Sequence, residues 1–99
     1  MITVKWTEPA LQDLEMIRDY FQSRSPKHAS FIIQKIFEAT KTLETFPKIG
    51  RVVPELSIEN IREILYREYR IIYWYDEGST ADILTVFHSS RQFGQLPET

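Results

Sequence analysis

The sequence predicts one α+β domain over residues 1–99, with an N-terminal strand and an antiparallel two-helix hairpin ahead of a three- to four-stranded antiparallel meander. Three observations predict this fold. Apolar residues recur at helical spacing in two segments before Gly50, and Ile, Tyr, Val and Phe dominate the chain after it. The connections between neighbouring segments are short, which favours antiparallel packing. A chain of 99 residues is also the usual size of a domain with a single core.

The chain begins with a short strand, because Ile2, Val4 and Trp6 alternate with polar residues. Thr7 then stands in the position of a helix N-cap, ahead of a carboxylate and a proline in the first turn. The apolar stripe of this first helix consists of Ala10, Leu14, Ile17 and Phe21.

A second helix begins after a short interruption, where Ser25 is the expected N-cap and Pro26 the first helical residue. Its apolar stripe consists of Ala29, Ile32, Ile36, Ala39, Leu43 and Phe46. Pro47 and Gly50 end the stripe. Because the turn between the two helices is so short, we expect them to pack as an antiparallel hairpin.

After Gly50 the pattern becomes that of β-strands. Arg51–Val53, cut off by Pro54, predicts a short edge strand or an extended loop. Three longer strands are predicted at Ile61–Tyr66, Tyr69–Tyr75 and Ala81–His88. The short connections at 67–68 and 76–80 predict an antiparallel meander.

The strand Tyr69–Tyr75 has apolar side chains on both faces, since Ile72 and Trp74 alternate with Ile71 and Tyr73. Two helices cover one side of a small sheet, so we expect the face of Ile72 and Trp74 to remain in water, as at a binding surface. The predicted partner-binding residues are Arg62, Ile72, Trp74 and Arg91. In the alternative interpretation, Trp74 packs under the 51–60 loop or the C-terminal tail.

Composition excludes several classes of function. There is no cysteine, which excludes disulfides, iron–sulfur clusters and thiolate nucleophiles and favours a reducing compartment. The only histidines, His28 and His88, are far apart in sequence, and the chain has three glycines in all. We therefore expect no metal and no cofactor. With no signal peptide and no apolar run of membrane-spanning length, we expect a cytoplasmic protein without a membrane partner.

The charge balance argues against nonspecific nucleic-acid binding, since the net charge is −2 and grip on phosphate backbones usually needs a basic excess. The cations are unevenly placed. All five lysines lie at or before Lys48, and the second half carries only arginines, whose planar fork suits carboxylate or phosphate. Those arginines lie at positions 51, 62, 67, 70 and 91.

One set of residues could support acid–base chemistry: Glu55, Arg70, His88 and Arg91. Cleavage of RNA by its own ribose hydroxyl needs a base, an acid and cations on the phosphate. Glu55 or His88 could be the base, His88 the acid, and the two arginines the clamp, with no metal. Each residue also has a structural interpretation. Glu55 can pair with Arg51, His88 can end a strand, and Arg91 can be solvated.

Four segments, taken in their order and intervals, resemble the RelE/ParE superfamily of bacterial toxins. The segments are Gly50-Arg51-Val52-Val53-Pro54-Glu55, Ile61-Arg62-Glu63, Tyr69-Arg70-Ile71-Ile72-Tyr73 and His88-Ser89-Ser90-Arg91. The resemblance covers nearly the whole chain. It implies the toxin of a type II toxin-antitoxin module, often called a plasmid stabilisation protein, which inhibits growth until a cognate antitoxin neutralises it. The helical hairpin on an antiparallel sheet is also the fold it implies.

The superfamily has two branches with different targets. The RelE-like branch cleaves messenger RNA on the translating ribosome, with acid–base residues at positions similar to Glu55, Arg70, His88 and Arg91. The ParE-like branch poisons DNA gyrase without a complete nuclease site. This chain is acidic, and it has Phe93 and a polar tail where RelE-like toxins often have a tyrosine. These departures favour the ParE-like branch slightly, and a decayed toxin that keeps only its antitoxin-binding fold is a third interpretation.

Overall fold

The computed structural model describes residues 1–90, and Arg91 lies outside them. Strand β1 comprises Thr3–Trp6, and the helices follow as α1, Glu8–Gln22, and α2, Pro26–Lys41, which continues into a 3₁₀ turn at Thr42–Glu44. The remaining strands are β2, Arg51–Val52; β3, Ile61–Tyr66; β4, Tyr69–Trp74; and β5, Thr80–His88. Each predicted element is present.

The five strands form one sheet in the order β1-β5-β4-β3-β2. Strands β2 to β5 are an antiparallel meander, as predicted, and β1 pairs in parallel with β5. The meander was predictable because short turns join its strands. The direction of β1 was not, because the whole helical hairpin and three strands separate it from its partner.

Side-chain caps fix the start of both helices, as the sequence predicts. The Thr7 hydroxyl oxygen accepts a hydrogen bond from the Ala10 N–H and donates one to the Ile83 carbonyl of β5. The Ser25 hydroxyl oxygen accepts one from the His28 N–H. Thr7 thus satisfies an open helix end and also fastens α1 to the central strands.

The main core lies between the helices and one face of the sheet. Its fully buried members include Ile36 of α2, Leu43 of the 3₁₀ turn, and Ile71, Tyr73 and Ile83 of the sheet. Their burial, at about 25 cal/mol for each Å² of apolar surface, is the main source of the fold's stability.

The opposite face of the sheet has a smaller core of its own, which corrects one prediction. Ile72 is 0% exposed and packs with Val53 and Phe87. The chain after β2 folds back over this face, where the Leu56 and Ser57 N–H groups both donate to the Val53 carbonyl. We expected the face of Ile72 to remain in water, and that expectation is wrong at Ile72 because the protein's own loop buries it. Trp74 is half-buried.

The segment between the last helical turn and β2 is held by a buried tyrosine. The Tyr73 hydroxyl donates to the Pro47 carbonyl at 2.7 Å and accepts from the Gly50 N–H at 3.0 Å. There is no room for a side chain at Gly50, because a Cβ there would lie 2.6 Å from the Glu63 carbonyl oxygen and 2.7 Å from the Tyr73 hydroxyl. The glycine is needed for this close approach.

We therefore expect Gly50→Ala to lower the free energy of unfolding by roughly 1–3 kcal/mol, through overpacking, in a urea titration. Gly78→Ala is the matched control. Its Cβ would meet only the exposed Asp76 carboxylate, at 3.0 Å, which can move aside. An unchanged unfolding midpoint for Gly50→Ala would contradict the contact described.

Candidate functional site

Glu55 and Arg70, two of the four candidate catalytic residues, are in direct contact. Arg70 is 8% exposed on β4, and Glu55 lies on the loop that covers the smaller core. The guanidinium donates twice to the carboxylate, from Nη1 to Oε2 at 2.6 Å and from Nη2 to Oε1 at 2.8 Å. This bidentate geometry is the strongest form of an arginine–carboxylate pair.

A second carboxylate continues this contact into the protein. Glu63 of β3 is 1% exposed, and its two oxygens accept from Arg70 Nε at 2.7 Å and from Arg51 Nε at 2.6 Å. Arg51, Glu63, Arg70 and Glu55 thus form a chain of alternating charges, here called the ion-pair network. Its formal charge is zero. Every carboxylate in it faces at least one guanidinium, which is what makes the burial of Glu63 tolerable.

The network sets the electrostatics of both candidate residues. Hydrogen bonds from Arg70 are the main reason that the pKa of Glu55 falls from 4.5 to about 2, against a smaller opposing effect of desolvation. The same contact raises the pKa of Arg70 further above its ordinary value. A general base works best with a pKa near the operating pH. Glu55 in this contact is therefore a weak base, and its carboxylate neutralises the arginine that would hold a phosphate.

His88, the third candidate, lies on the other face of the sheet. It pairs with Tyr69 across β4 and β5, and the two rings meet edge to face at 5.6 Å between centroids. Tyr69 and Arg70 are consecutive in a strand, so their side chains point to opposite faces. His88 thus lies with Tyr69 on the helix side, where Nε2 is 2.9 Å from Glu68 and Nδ1 is 2.8 Å from Ser90 Oγ.

Two separate depressions result from this division. One, of about 330 Å³, contains Glu55 and Arg70. The other, of about 730 Å³, lies between the helices and the end of the sheet and contains His28 and His88. The structure therefore brings together Glu55 and Arg70 and separates them from His88, while Arg91 lies outside the described residues.

The predicted partner-binding residues are also distributed. Arg62 is half-buried and donates from Nη1 to the Gly50 carbonyl at 2.9 Å. The Trp74 side chain is partly exposed, whereas the Ile72 side chain is fully buried. For Arg62, Ile72 and Trp74 a role in partner binding remains a prediction.

Residues 4–93 match a family described as the ParE toxin of the type II toxin-antitoxin system, parDE. The chain belongs to this toxin family. The resemblance seen in the sequence is thereby confirmed, and the protein is a toxin of the ParE/RelE superfamily from a type II toxin-antitoxin system.

Two relatives named as toxins are similar to this ParE-family chain. "Putative toxin Y4kP" of Sinorhizobium fredii is 29% identical over 93 residues, covering 94% of each chain. "Toxin RelE2" of Caulobacter vibrioides is 31% identical over 91 residues, covering 92% of this chain and 99% of the relative.

Two solved structures share the fold. In the chromosomal ParDE toxin-antitoxin system of P. aeruginosa, one chain superposes with a TM-score of 0.74 at 26% identity, covering 89% of this chain and 96% of that one. In the RelBE2 toxin-antitoxin complex of Mycobacterium tuberculosis, the TM-score is 0.57 at 20% identity, with 88% and 96% covered. The second likeness concerns the fold alone.

Two residues that stabilise this toxin were not singled out from the sequence. Glu63 was named only within the segment Ile61-Arg62-Glu63 that resembles the toxin superfamily, although its register opposite Ile72 places it beside Arg70. Asp13 of α1 was also missed, and its carboxylate accepts from the Thr85 hydroxyl and from the Val86 N–H at 3.0 Å. A polar residue interrupting a strand or helix stripe was the available signal in both cases.

No group of three or more His, Asp or Glu side chains within residues 1–90 is arranged to hold a metal ion. Over the same residues, no helix has the length and apolar character needed to cross a membrane.

The lowered pKa of Glu55 should make the stability of the fold depend on pH in the acid range. A carboxyl whose pKa is lower in the folded state stabilises the fold above pH 4.5, and this contribution is lost between about 4.5 and 2. We expect Glu55→Gln to be roughly 1 kcal/mol less stable at pH 7 and to lose less stability over that acid window. Denaturant titrations at several pH values measure both.

Glu59→Gln is the control, since Glu59 is exposed on the same loop and has no ion pair among residues 1–90. Wild type and Glu55→Gln losing stability in parallel below pH 4.5 would show that the pair does not form in solution.

Proposed function

We propose that this toxin acts as a ParE-like poison of DNA gyrase in the cytoplasm, held inactive by its cognate antitoxin. The single observation that carries the proposal is the division of the candidate nuclease set. Glu55 is ionised and bound to Arg70, and His88 lies across the sheet from both. A binding poison needs no assembled acid–base site. The acidic net charge of −2 also disfavours a protein that must grip RNA.

Purified toxin, tested in a gyrase supercoiling assay, should inhibit the reaction at micromolar concentration. We expect Trp74→Ala and Arg91→Ala to raise the half-inhibitory concentration by about tenfold, equivalent to 1.4 kcal/mol of binding. His88→Ala should leave inhibition unchanged, because the histidine has no acid–base step to perform. Unaltered supercoiling with folded wild-type toxin would end the proposal.

A RelE-like ribosome-dependent endoribonuclease is the alternative. One observation favours it: 31% identity to a protein named Toxin RelE2. In this mechanism the substrate phosphate would have to displace the Glu55 carboxylate from Arg70. His88 would have to move from its present position on the other face of the sheet to protonate the leaving oxygen.

His88→Ala is the variant that separates the two mechanisms. Arg70→Ala is less informative, because it leaves the buried Glu63 carboxylate short of a partner, which typically costs 3–5 kcal/mol of stability. If the toxin is a nuclease, induction should produce new messenger RNA ends bearing a cyclic phosphate, and His88→Ala should abolish them. Mapping of RNA ends after induction without new cuts would exclude this alternative.

Neutralisation by an antitoxin is testable independently of the target. A short DNA-binding protein encoded beside the toxin is the expected antitoxin, and its co-expression should restore growth. Growth arrest that no adjoining reading frame relieves would contradict this part of the proposal.

A further inference from the structure

Arg67 occupies a position where the backbone favours glycine. It is the first residue of the two-residue turn between β3 and β4, flanked by the paired Tyr66 and Tyr69, and its φ angle is +52°. A positive φ at the first central position is typical of a type II′ hairpin turn, in which glycine is preferred. An L-residue in the left-handed region costs roughly 1–2 kcal/mol. Strain of this kind is often retained where the side chain has a function.

The Arg67 side chain lies over two aromatic rings, and one of these rings also contacts Lys35. Its guanidinium carbon is 5.7 Å from the centre of the Tyr66 ring and 5.9 Å from that of Phe31 on α2. The ammonium of Lys35 is 5.4 Å from the same Phe31 ring. Phe31 is 41% exposed. We call Phe31, Lys35, Tyr66 and Arg67 the Arg67 patch.

The neighbouring carboxylates of Glu68 and Glu38 contact other residues. Glu68, the next residue, lies 2.9 Å from His88, and Glu38 lies 3.3 Å from Lys35. Within residues 1–90 Arg67 itself forms no ion pair. Its donors are therefore available to an incoming carboxylate, and arginine beside an exposed aromatic ring is a frequent combination at binding hot spots.

Arg67 borders both depressions of the candidate site. It lines the depression with Arg70 and the depression with His88. A segment bound to it would lie across the end of the β3–β4 hairpin and restrict access to both.

We propose that the Arg67 patch docks an acidic segment of the antitoxin, with a carboxylate on Arg67 and an apolar side chain on Phe31. The inference rests on the proposed neutralisation by an antitoxin and names the surface and chemistry that achieve it. The occupant is a polypeptide because charge complementarity requires only one or two carboxylates here. Nucleic acid would need a longer row of cations than this acidic chain offers.

The test uses the full chain and the antitoxin that restores growth, with the dissociation constant measured by calorimetry. Arg67→Gly removes the guanidinium and relieves the backbone, so it should weaken binding at least about tenfold while raising the melting temperature by roughly 4–8 °C. Arg67→Gln removes the charge and keeps the strained backbone. It should weaken binding similarly without raising the melting temperature.

Glu77→Gly is the matched control. Glu77 also has a positive φ, of 69°, in the turn at the opposite end of β4, and its side chain pairs with Lys48. This variant should keep the antitoxin affinity within about twofold. Equal affinity of wild type, Arg67→Gly and Arg67→Gln would overturn the inference while leaving neutralisation intact. Failure of the wild-type chain to bind the antitoxin would refute the neutralisation proposal and this inference with it.

A single-stranded RNA oligonucleotide serves as the second ligand. We expect no difference in RNA binding between wild type and Arg67→Gly. A loss of RNA binding with unchanged antitoxin affinity would assign the patch to nucleic acid and overturn the inference.

Discussion

The Glu63 carboxylate lies inside the protein, and the arrangement of the whole non-helical face depends on how its charge is balanced. Moving an ion out of water costs several kcal/mol, which Arg51 and Arg70 offset through short, direct contacts. Arg70 in turn binds Glu55, which belongs to the loop over the smaller core. The Glu63 carboxylate on β3 therefore helps, through Arg70 and Glu55, to position the loop that buries Ile72. The loop is held from one side by apolar packing and from the other by ion pairs.

The same contacts limit the chemistry available on this face. An arginine serves as a phosphate clamp when its donors can reach the substrate, and a carboxylate serves as a base when it binds protons near neutral pH. In the ion-pair network Glu55 and Arg70 satisfy each other, so each weakens the catalytic capacity of the other. The pleat of the sheet then separates them from His88. Residues that look like a nuclease set in the sequence are thus arranged as a structural contact on one face of the sheet and a histidine on the other.

The sequence predicted the elements well where local rules determine them. The caps Thr7 and Ser25, the two apolar stripes and the meander follow from hydrogen-bonding need, helical spacing and turn length. The parallel β1, the loop over Ile72 and the partner of Glu55 depend instead on contacts between distant segments. Glu55 was open to pairing with Arg51, but the chain reversal after β2 brings it to Arg70, 15 residues away in sequence. Alternation along β4 correctly separated its two faces, yet alternation does not say what covers each face.

The arginines of the second half of the chain, grouped together in the sequence, have different partners in the structure. Arg51 and Arg70 balance carboxylates, and Arg62 holds the Gly50 carbonyl. These three arginines stabilise the fold, so replacing any of them would confuse a loss of function with a loss of structure. Arg67 instead lies on a strained turn and over exposed rings, without a carboxylate among residues 1–90. An arginine that costs stability through its backbone and forms no ion pair within residues 1–90 is best explained by an external carboxylate.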